Sequence, residues 1–334
     1  MGTKVSILMP VYNAALTLKA AVQSLLRQSM PEFELVIVND GSTDETPNLL
    51  RQFAQRDPRV IVLETPHRGI VAALNEGLQV CRCELIARMD ADDICHRDRL
   101  AQQVLFMESH PEISVCGSLV KMFPKKNLLG GMLRYEQWLN SLVTPEEIAR
   151  DIFVESPLAH PSVMLRRNEL LDLGGYHESS WVEDYDLWLR YHLHGKKLAK
   201  VPKVLLFWRH TPGRVTVTDP RCSLEAFFRA KAHYISVLLG RVGRPVVLWG
   251  AGQTGRRLLK HLMREGVVPV AIVDIDTKKI GHKLRGVQIV SPEWLEMKDV
   301  FVVTAVSSVG ARDLIRRNLA RLGFQETRDF ICAA

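Results

Sequence analysis

Short apolar runs alternate with amphipathic segments over the first part of the chain, and this alternation sets the strongest limit on its fold. The apolar runs are rich in Val, Ile and Leu, as is typical of strands that are buried on both faces. They predict four strands, at Val5–Met9, Glu34–Asn39, Val60–Glu64 and Glu84–Met89. The segments between them carry apolar residues at helical spacing and predict helices at Ala14–Gln28, Thr43–Gln55 and Ile70–Val80. Together they predict an α/β fold, with a mostly parallel sheet and helices on both faces.

Polar residues stand where three of these strands end. Pro10, Tyr12 and Asn13 follow the first strand, Asp40 ends the second, and Asp90 follows the fourth. Ligands of parallel sheets bind beyond the carboxyl ends of the strands, so these residues are candidates for a binding site. A carboxylate at the position of Asp40 is well placed to accept a hydrogen bond from a ribose or a base.

The turn after Asp40 has a second interpretation. Ser42 and Glu45 have the spacing of a capping box, and Asp44 would lie in the first turn of the following helix. Helix capping explains these three residues, but it does not explain Asp40, which directly follows an apolar run.

The aspartate cluster, defined here as Asp90, Asp92 and Asp93, is the candidate metal site. Asp90 and Asp92 are two residues apart at a strand end, so both point to the same side if the chain stays extended. Converging carboxylates repel each other unless a proton or a cation joins them, and a divalent ion with oxygen ligands would do so. The alternative is a solvated acidic turn that caps a helix at His96–Met107.

A third acidic group lies in the segment Trp181–Arg190. In a helix, Asp184 would share one face with Leu187, Trp188 and Tyr191. Stabilisation of the helix N-terminus explains acidic residues at this place, but it does not explain one on a buried face. A carboxylate in such surroundings is a candidate general base.

A second strand–helix–strand pattern begins after the Gly- and Pro-containing segment Arg241–Pro245. Its predicted elements are the strand Val246–Trp249, the helix Arg256–Glu265 and the strand Val268–Val273. Gly250, Gly252 and Gly255 form a G-x-G-x-x-G turn between the first strand and the helix, which is the fingerprint of a dinucleotide site. Asp274 ends the next strand, where an acid that binds ribose would stand.

Composition indicates a globular protein and argues against several other classes. The chain has 334 residues, of which 47% are hydrophobic and 24% charged, and this length suits two domains with sizeable cores. No apolar run approaches the roughly 20 residues of a membrane-spanning helix. The N-terminus lacks the pattern of a signal peptide, so we expect a cytoplasmic protein. The six scattered cysteines show no zinc-binding spacing.

The net charge of +7 raises the question of an anionic partner. Lysines and arginines are dispersed, and aromatic residues are not interleaved with them, so we expect no nucleic-acid partner. The charge suits phosphate-bearing substrates and peripheral contact with the anionic inner face of a membrane equally well.

In chain order, these motifs resemble the family 2 glycosyltransferases of the GT-A fold over roughly residues 4–215. The resemblance is carried by Pro10-Val11-Tyr12-Asn13, Val38-Asn39-Asp40-Gly41-Ser42-Thr43-Asp44, Asn75, Asp90-Ala91-Asp92-Asp93, Gly174-Gly175-Tyr176 and Glu183-Asp184-Tyr185-Asp186-Leu187. It implies inverting transfer of a sugar from a UDP-sugar or another nucleotide-diphosphate sugar. The acceptor would be a hydroxyl group of a glycan or a lipid-linked glycan, in polysaccharide or lipopolysaccharide synthesis.

The resemblance also implies roles for residues that bind the donor. Asp40 would hold the nucleoside, and Pro10, Tyr12 and Asn13 would line the same pocket. In the aspartate cluster, Asp92 would bind Mn²⁺ or Mg²⁺ on the diphosphate with the help of Asp90.

Further roles follow for residues beyond the aspartate cluster. Asp184 would accept the proton of the attacking hydroxyl group, with Glu183 beside it. His210 matches a position where such enzymes often have a histidine near the metal and the diphosphate, and Arg209 or Arg214 would add positive charge. For His160, an approach to the acceptor and a purely structural role both remain open.

We therefore expect a glycosyltransferase domain at residues 1–218, a helical connector at 219–243 and a smaller Rossmann-like domain at 244–334. Val246–Leu295 also resembles small Rossmann-like modules attached to sugar-modifying acetyltransferases, which bind a nucleotide sugar or serve assembly. Two other functions stay open: an NAD(P)-dependent enzyme that modifies a sugar nucleotide, and a non-catalytic protein that binds one. The donor sugar, the acceptor, the occupancy of the second domain and the oligomeric state are not determined by the sequence.

Overall fold

Strand β2 (Phe33–Asp40) is buried along its whole length, as expected for a central strand of a sheet that is covered on both faces. The computed structural model describes residues 3–210, 219–296 and 298–334. Strand β1 (Val5–Val11) pairs in parallel with β2 and with β4 (Leu85–Arg88). Strand β3 (Val60–Thr65) pairs in parallel with β2. These are the four strands that the sequence predicted, and they form one half of a larger sheet.

Four further strands complete a sheet of eight, in the order β3-β2-β1-β4-β7-β6-β8-β5. They are β5 (Ile94–Cys95), β6 (Ile113–Phe123), β7 (Met164–Arg166) and β8 (Lys197–Arg209). Strand β7 runs antiparallel to both β4 and β6, whereas β6 and β8 pair in parallel. The sheet is therefore mixed, and β7 separates its two parallel groups.

The helices of the predicted half are α1 (Leu18–Leu26), α2 (Thr46–Arg56), α3 (Ile70–Val80) and α4 (Arg99–Ser109). Helix α3 begins and ends where the sequence predicts, and the other three begin later. The predicted capping box at α2 is wrong. Ser42 Oγ accepts a hydrogen bond from the backbone N–H of Asn13 at 2.9 Å instead, and Asp44 Oδ1 accepts one from Thr46 N at 2.9 Å.

The sequence of residues 134–152 also predicts one helix. The structure has two helices there, α5 (Gly130–Ser141) and α6 (Pro145–Asp151). Pro145 has no N–H to donate, so a helix cannot continue through it without losing a hydrogen bond. Glu147 Oε2 accepts the backbone N–H groups of Val143 and Thr144 at 2.8 and 3.0 Å, which satisfies the chain at the break.

Contacts divide the chain into two compact units that do not follow chain order. The first unit comprises Met1–Ile148, Pro157–Ser179 and His194–Val217, and the second comprises Ala149–Ser156, Ser180–Leu193 and Thr218–Ala334. The other α-helices in the described part of the chain are α7 (Arg167–Asp172), α8 (Glu183–Leu193), α9 (Leu224–Val242), α10 (Gln253–Arg264) and α11 (Ala311–Arg321). Helix α8, which carries the third acidic group, therefore clusters with α9 and the C-terminal residues.

The second unit contains a six-stranded sheet in the order β11-β12-β10-β9-β13-β14. Its strands are β9 (Val246–Trp249), β10 (Ala271–Val273), β11 (Lys283–Leu284), β12 (Val287–Val290), β13 (Phe301–Thr304) and β14 (Phe330–Cys332). All pairs are parallel except β11 with β12. Strand β10 is shorter than predicted, and Val268 and Val270 before it are 60% and 53% exposed.

Among the described helices, none combines the length and the apolar character that are needed to cross a membrane.

Candidate active site

The carboxyl ends of β1, β2 and β3 lie at the same edge of the first sheet. Parallel pairing places Val11 opposite Asn39 and Asp40 opposite Thr65. Asn13, just past the end of β1, has a positive φ of 48° and accepts a hydrogen bond from Thr43 N through Oδ1 at 2.8 Å. The predicted residues Pro10, Tyr12, Asn13 and Asp40 are thereby brought to one edge of the sheet.

Asp40 is buried and holds the loop that leads into α3. Its Oδ1 accepts the backbone N–H of Arg68 at 2.8 Å, and its Oδ2 accepts that of Gly69 at 2.9 Å. The Nδ1 atom of His67 lies 2.9 Å from the same Oδ2. Gly41, with φ +68°, allows this loop to lie close to the end of β2. A Cβ at Gly41 would lie 2.6 Å from the backbone nitrogen of His67.

Tyr12 and His67 form a stacked ring pair beside this carboxylate. Their ring centroids are 4.0 Å apart and their planes differ by 19°. About half of each side chain is exposed, whereas the Asp40 side chain is 5% exposed. A flat aromatic surface therefore lies next to a nearly buried negative charge. The sequence analysis predicted no role for His67. It follows β3, and the carboxyl end of β3 lies at the same sheet edge as those of β1 and β2.

The three carboxylates of the aspartate cluster lie close together, although residues 91–92 form a turn and not the extended chain that the sequence analysis assumed. One carboxylate oxygen of each of its three residues lies within 4.8 Å of the others. Arg209 fixes the turn, because its backbone N–H donates to Asp93 Oδ1 at 2.7 Å and its Nε donates to the carbonyl oxygen of Asp92 at 2.5 Å. Three carboxylates at this separation repel one another, and oxygen ligands so placed fit a divalent cation such as Mg²⁺ or Mn²⁺.

Two buried arginines contact the end of β4 and the residues just after it, next to the cluster. Arg88 is 1% exposed and forms an ion pair with Asp90. Arg99 donates through Nη2 to the carbonyl oxygens of Arg88 and Val163 at 2.9 and 3.0 Å, and burial lowers the pKa of its guanidinium. The sequence interpretation overlooked Arg88, although a charged residue inside an apolar strand was a usable signal.

Two residues predicted near the metal have different outcomes. His210 follows β8, donates its backbone N–H to the carbonyl oxygen of Phe123 at 2.7 Å, and is not part of the carboxylate group described above. Its role as a ligand stays a prediction. Arg214 lies outside the described residues.

His160 is buried in the first unit, and its Nε2 lies 3.2 Å from the hydroxyl oxygen of Tyr176. Burial, together with the charge of Arg88, holds the pKa of His160 well below its ordinary value, so the ring is neutral at pH 7. Asn75 fixes the same region, because its Oδ1 accepts from Tyr176 N at 2.9 Å and its Nδ2 donates to Tyr176 O at 2.8 Å.

Helix α8 separates its acidic residues into different environments. Asp186 is 2% exposed and accepts hydrogen bonds from Trp181 Nε1, Tyr234 Oη and Arg190 Nε at 2.8, 2.6 and 2.8 Å. Glu183 is also buried, whereas Asp184 is partly exposed. The sequence predicted a buried Asp184, but its side chain is only partly buried. The helix is buried on nearly all sides, and Asp184 lies on the side that is not.

The glycine-rich turn of the second unit joins β9 to α10. A Cβ at Gly255 would lie 1.8 Å from the carbonyl oxygen of Gly250, so only glycine fits there. Asp274 Oδ2 accepts the backbone N–H of Ala251 at 2.8 Å, and its Oδ1 accepts that of Asp276 at 2.9 Å. A cavity of about 480 Å³ lies beside this turn and includes Gly252 in its lining.

Comparison with protein families gives two matches. The family described as "Glycosyl transferase family 2" matches residues 6–174, which include Asp40 and the aspartate cluster but not Asp184. A domain described as "C2185-like, N-terminal" matches residues 243–330.

Curated relatives are similar over about three fifths of the chain. The amylovoran biosynthesis glycosyltransferase AmsE of Erwinia amylovora is 33% identical over 204 residues, which cover 60% of this chain and 74% of the relative. A UDP-Gal:alpha-D-GlcNAc-diphosphoundecaprenol beta-1,3-galactosyltransferase of Escherichia coli is 29% identical over 210 residues, covering 62% and 74% of the two chains.

The crystal structure of S. aureus TarS 1-349 in complex with UDP-GlcNAc is similar in fold. The TM-score is 0.57 at 21% sequence identity, and the match covers 80% of this chain and 73% of TarS 1-349. The predicted α/β architecture, a GT-A-type sheet followed by a smaller α/β sheet, is confirmed.

Proposed function

Since this chain belongs to glycosyl transferase family 2 and is a glycosyltransferase, we propose that it moves a sugar from a nucleotide-diphosphate sugar to a hydroxyl group of a polysaccharide or lipid-linked glycan. The observation that carries this proposal is the pairing of two features in the first unit. The aspartate cluster gathers three carboxylates within 4.8 Å. The stacked rings of Tyr12 and His67 lie beside the buried carboxylate of Asp40. The first suits a cation with its phosphates, and the second suits a nucleoside.

We propose the aspartate cluster as the site of Mg²⁺ or Mn²⁺, with Asp92 and Asp90 as the principal ligands. A bound divalent cation would offset the charge that develops on the departing diphosphate. Arg209 keeps the cluster in place through its bonds to Asp92 and Asp93. Arg88 supplies a buried positive charge to Asp90, which reduces the repulsion among the three carboxylates.

We propose Asp184 as the general base, with Glu183 beside it. The acceptor oxygen would form a bond to the anomeric carbon while the bond from that carbon to the phosphate oxygen breaks. The nucleoside diphosphate leaves with the electron pair of that bond, and the hydroxyl proton passes to Asp184. A single displacement of this kind inverts the anomeric configuration. The partial exposure of Asp184 supports this role, because a base must reach its substrate.

The alternative with a nicotinamide cofactor in the second unit is not favoured by the geometry. Both carboxylate oxygens of Asp274 accept backbone N–H groups of neighbouring loops, and Lys279 Nζ lies 3.4 Å from Oδ2. A ribose would have to compete with these groups for the carboxylate. We therefore do not propose NAD(P) chemistry, and the binding of a nucleotide at Gly250–Gly255, like the Rossmann-like assignment itself, stays a prediction.

The proposal is tested with purified protein, a panel of UDP- and GDP-sugars, and Mn²⁺ or Mg²⁺. Asp92→Asn is expected to lower metal-dependent release of the nucleotide by about 100-fold or more. Asp184→Asn is expected to retain donor binding but to lower transfer by about 100-fold to 10,000-fold. Asp172→Asn, on an exposed acid at the end of α7, is the matched control and should leave both unchanged.

Unchanged transfer in Asp92→Asn or in Asp184→Asn would contradict the role given to that residue. An absorbance change at 340 nm with NAD(P) and a sugar nucleotide would favour the nicotinamide alternative. Donor binding without any transfer or hydrolysis, across the panel of acceptors, would favour a non-catalytic nucleotide-sugar-binding protein.

A further inference from the structure

Residues 121–135, called here the basic segment, combine positive charge with exposed apolar side chains. The segment contains four basic residues and no acidic one. Its basic residues, all of them exposed, are Lys121, Lys125, Lys126 and Arg134. Leu129 and Leu133 at the start of α5 are 69% and 42% exposed, and Leu133 N donates to Leu129 O at 3.2 Å. Residues four apart on a helix are neighbours, so the two leucines form one apolar patch among cations.

The second half of α5 holds the helix on β6. Glu136 is buried, and its two carboxylate oxygens accept hydrogen bonds from Lys121 Nζ and from the backbone N–H of Met122, both at 2.5 Å. Glu136 stands three residues after Leu133 and continues the helical stripe of the two leucines. The stripe is therefore covered by the sheet at Glu136 and open to solvent at Leu129 and Leu133.

Lys125 and Lys126 are the charges of the basic segment that lack a counter-ion within the described part of the chain. Lysines beside exposed leucines match the surface of a bilayer that contains anionic lipids. Its headgroups supply negative charge, and its acyl boundary takes up apolar side chains. A small free anion would neutralise the lysines but would leave Leu129 and Leu133 in water, so it fits only half of this surface.

The basic segment is joined to the residues that hold the aspartate cluster. Asn127 Nδ2 donates to the carbonyl oxygen of His210 at 3.1 Å, just past the end of β8. The guanidinium carbon of Arg209 lies 4.6 Å from the ring centroid of Phe123. The same Arg209 binds the aspartate cluster through its backbone N–H and its Nε. A bilayer in contact with the basic segment would therefore lie close to the candidate metal site of the first unit.

We propose that the basic segment docks the first unit on a bilayer that contains anionic lipids. Lys125 and Lys126 meet the headgroups, and Leu129 and Leu133 insert at the acyl boundary below them. The inference goes beyond the proposed function, because transfer of a sugar to a soluble acceptor needs no such surface. Docking at this place would bring an acceptor that is held in the same bilayer toward the aspartate cluster.

The test is binding of the full chain to phosphatidylcholine vesicles with or without phosphatidylglycerol, measured by co-sedimentation. The wild type should bind only the vesicles with phosphatidylglycerol, and binding should weaken as salt is added. Each lysine near an anionic surface strengthens binding by about fivefold, so Lys125→Gln with Lys126→Gln should weaken it by about 10-fold to 30-fold. Leu129→Gln with Leu133→Gln should weaken it by about tenfold or more, because the inserted apolar area is lost.

Two control variants make the same changes away from the basic segment. Lys196→Gln with Lys197→Gln removes another pair of adjacent lysines, at the end of β8 that is far from Arg209. Leu105→Gln replaces a leucine of α4 that is 61% exposed. Both controls should bind the vesicles within about twofold of the wild type, since distant charges are screened by salt. Thermal melting should show that all variants remain folded.

Three results would overturn the inference. Equal binding to vesicles with and without phosphatidylglycerol would remove the role of the lysines. Wild-type affinity in either variant of the basic segment would place the docking surface elsewhere. A dimer that Leu129→Gln with Leu133→Gln dissociates, in a wild type that binds no vesicles, would assign the patch to a second copy of the chain. Each result leaves the proposed function standing if Asp92→Asn still loses metal-dependent release of the nucleotide.

Discussion

Tyr234 donates its hydroxyl hydrogen to Asp186 Oδ1 at 2.6 Å, across 48 residues of sequence. This bond ties α8 to the long helix α9, and Trp181 and Arg190 donate to the same carboxylate. The carboxylate of Asp186 therefore has a structural role within the second unit. Of the acids in this helix, Asp184 is the one that remains partly exposed, which separates a structural carboxylate from a candidate base two residues away.

Asp186→Asn should destabilise the protein by about 3 kcal/mol, because it removes the negative charge that faces the buried guanidinium of Arg190. Tyr234→Phe should cost about 1 to 2 kcal/mol, because Asp186 loses one buried donor. Both values are measured by chemical denaturation. Asp184→Asn is the control and should change the free energy of unfolding by less than about 0.5 kcal/mol. A larger loss in Asp184→Asn than in Asp186→Asn would reverse this assignment.

Gly255→Ala should destabilise the second unit by about 3 kcal/mol or more, because its Cβ would lie 1.8 Å from the carbonyl oxygen of Gly250. Gly252→Ala offers a matched control in the same turn. Gly252 has a φ of −79°, and a Cβ there would meet no heavy atom within 4 Å. Thermal melting and limited proteolysis should distinguish the two variants. Equal stability would mean that Gly255 is not required for packing.

His192 should make the protein less stable in mild acid. Burial lowers the pKa of His192 from 6.5 to about 4, and its ring meets Phe153 edge-on with centroids 5.7 Å apart. Between pH 4 and pH 6.5 the His192 ring binds a proton in the unfolded chain but not in the folded chain. The free energy of unfolding should therefore fall by roughly 1.4 kcal/mol for each pH unit from 6.5 down to 4. The difference between wild type and His192→Asn, followed over this range, should show that slope, and parallel curves would contradict it.

Lys200 should make the stability of the protein depend on pH in the alkaline range. Its side chain is buried, its Nζ donates to the carbonyl oxygen of Leu139, and burial lowers its pKa from 10.5 to about 7. Between pH 7 and 10.5 the unfolded chain holds the proton that the folded chain has released, so the free energy of unfolding rises with pH. Relative to Lys200→Met, the wild type should gain roughly 1.4 kcal/mol per pH unit in this window. A pH-independent difference would show that Lys200 stays charged when buried.

The sequence was most informative where buried apolar residues recur at the regular spacing of a strand or a helix. The strands β1 to β4 and the helix α3 could be predicted because their apolar residues follow the periods of strand and helix. That prediction also placed Asp40 and the aspartate cluster at strand ends, since the end of an apolar run marks the end of a strand. The sequence analysis predicted no strand at β5 to β8, which join the sheet through pairings distant in sequence. It predicted one helix at residues 134–152, which Pro145 divides into two.

The sequence by itself thus determined the family, the α/β architecture and the edge of the sheet that holds the candidate site. Only the tertiary structure decided which partner each acid has: His67 for Asp40, Arg88 for Asp90, and Tyr234 for Asp186. Local periodicity shows whether a residue is buried, but strand order and loop paths determine what it meets there. That neighbour is often distant in sequence, as Tyr234 is from Asp186.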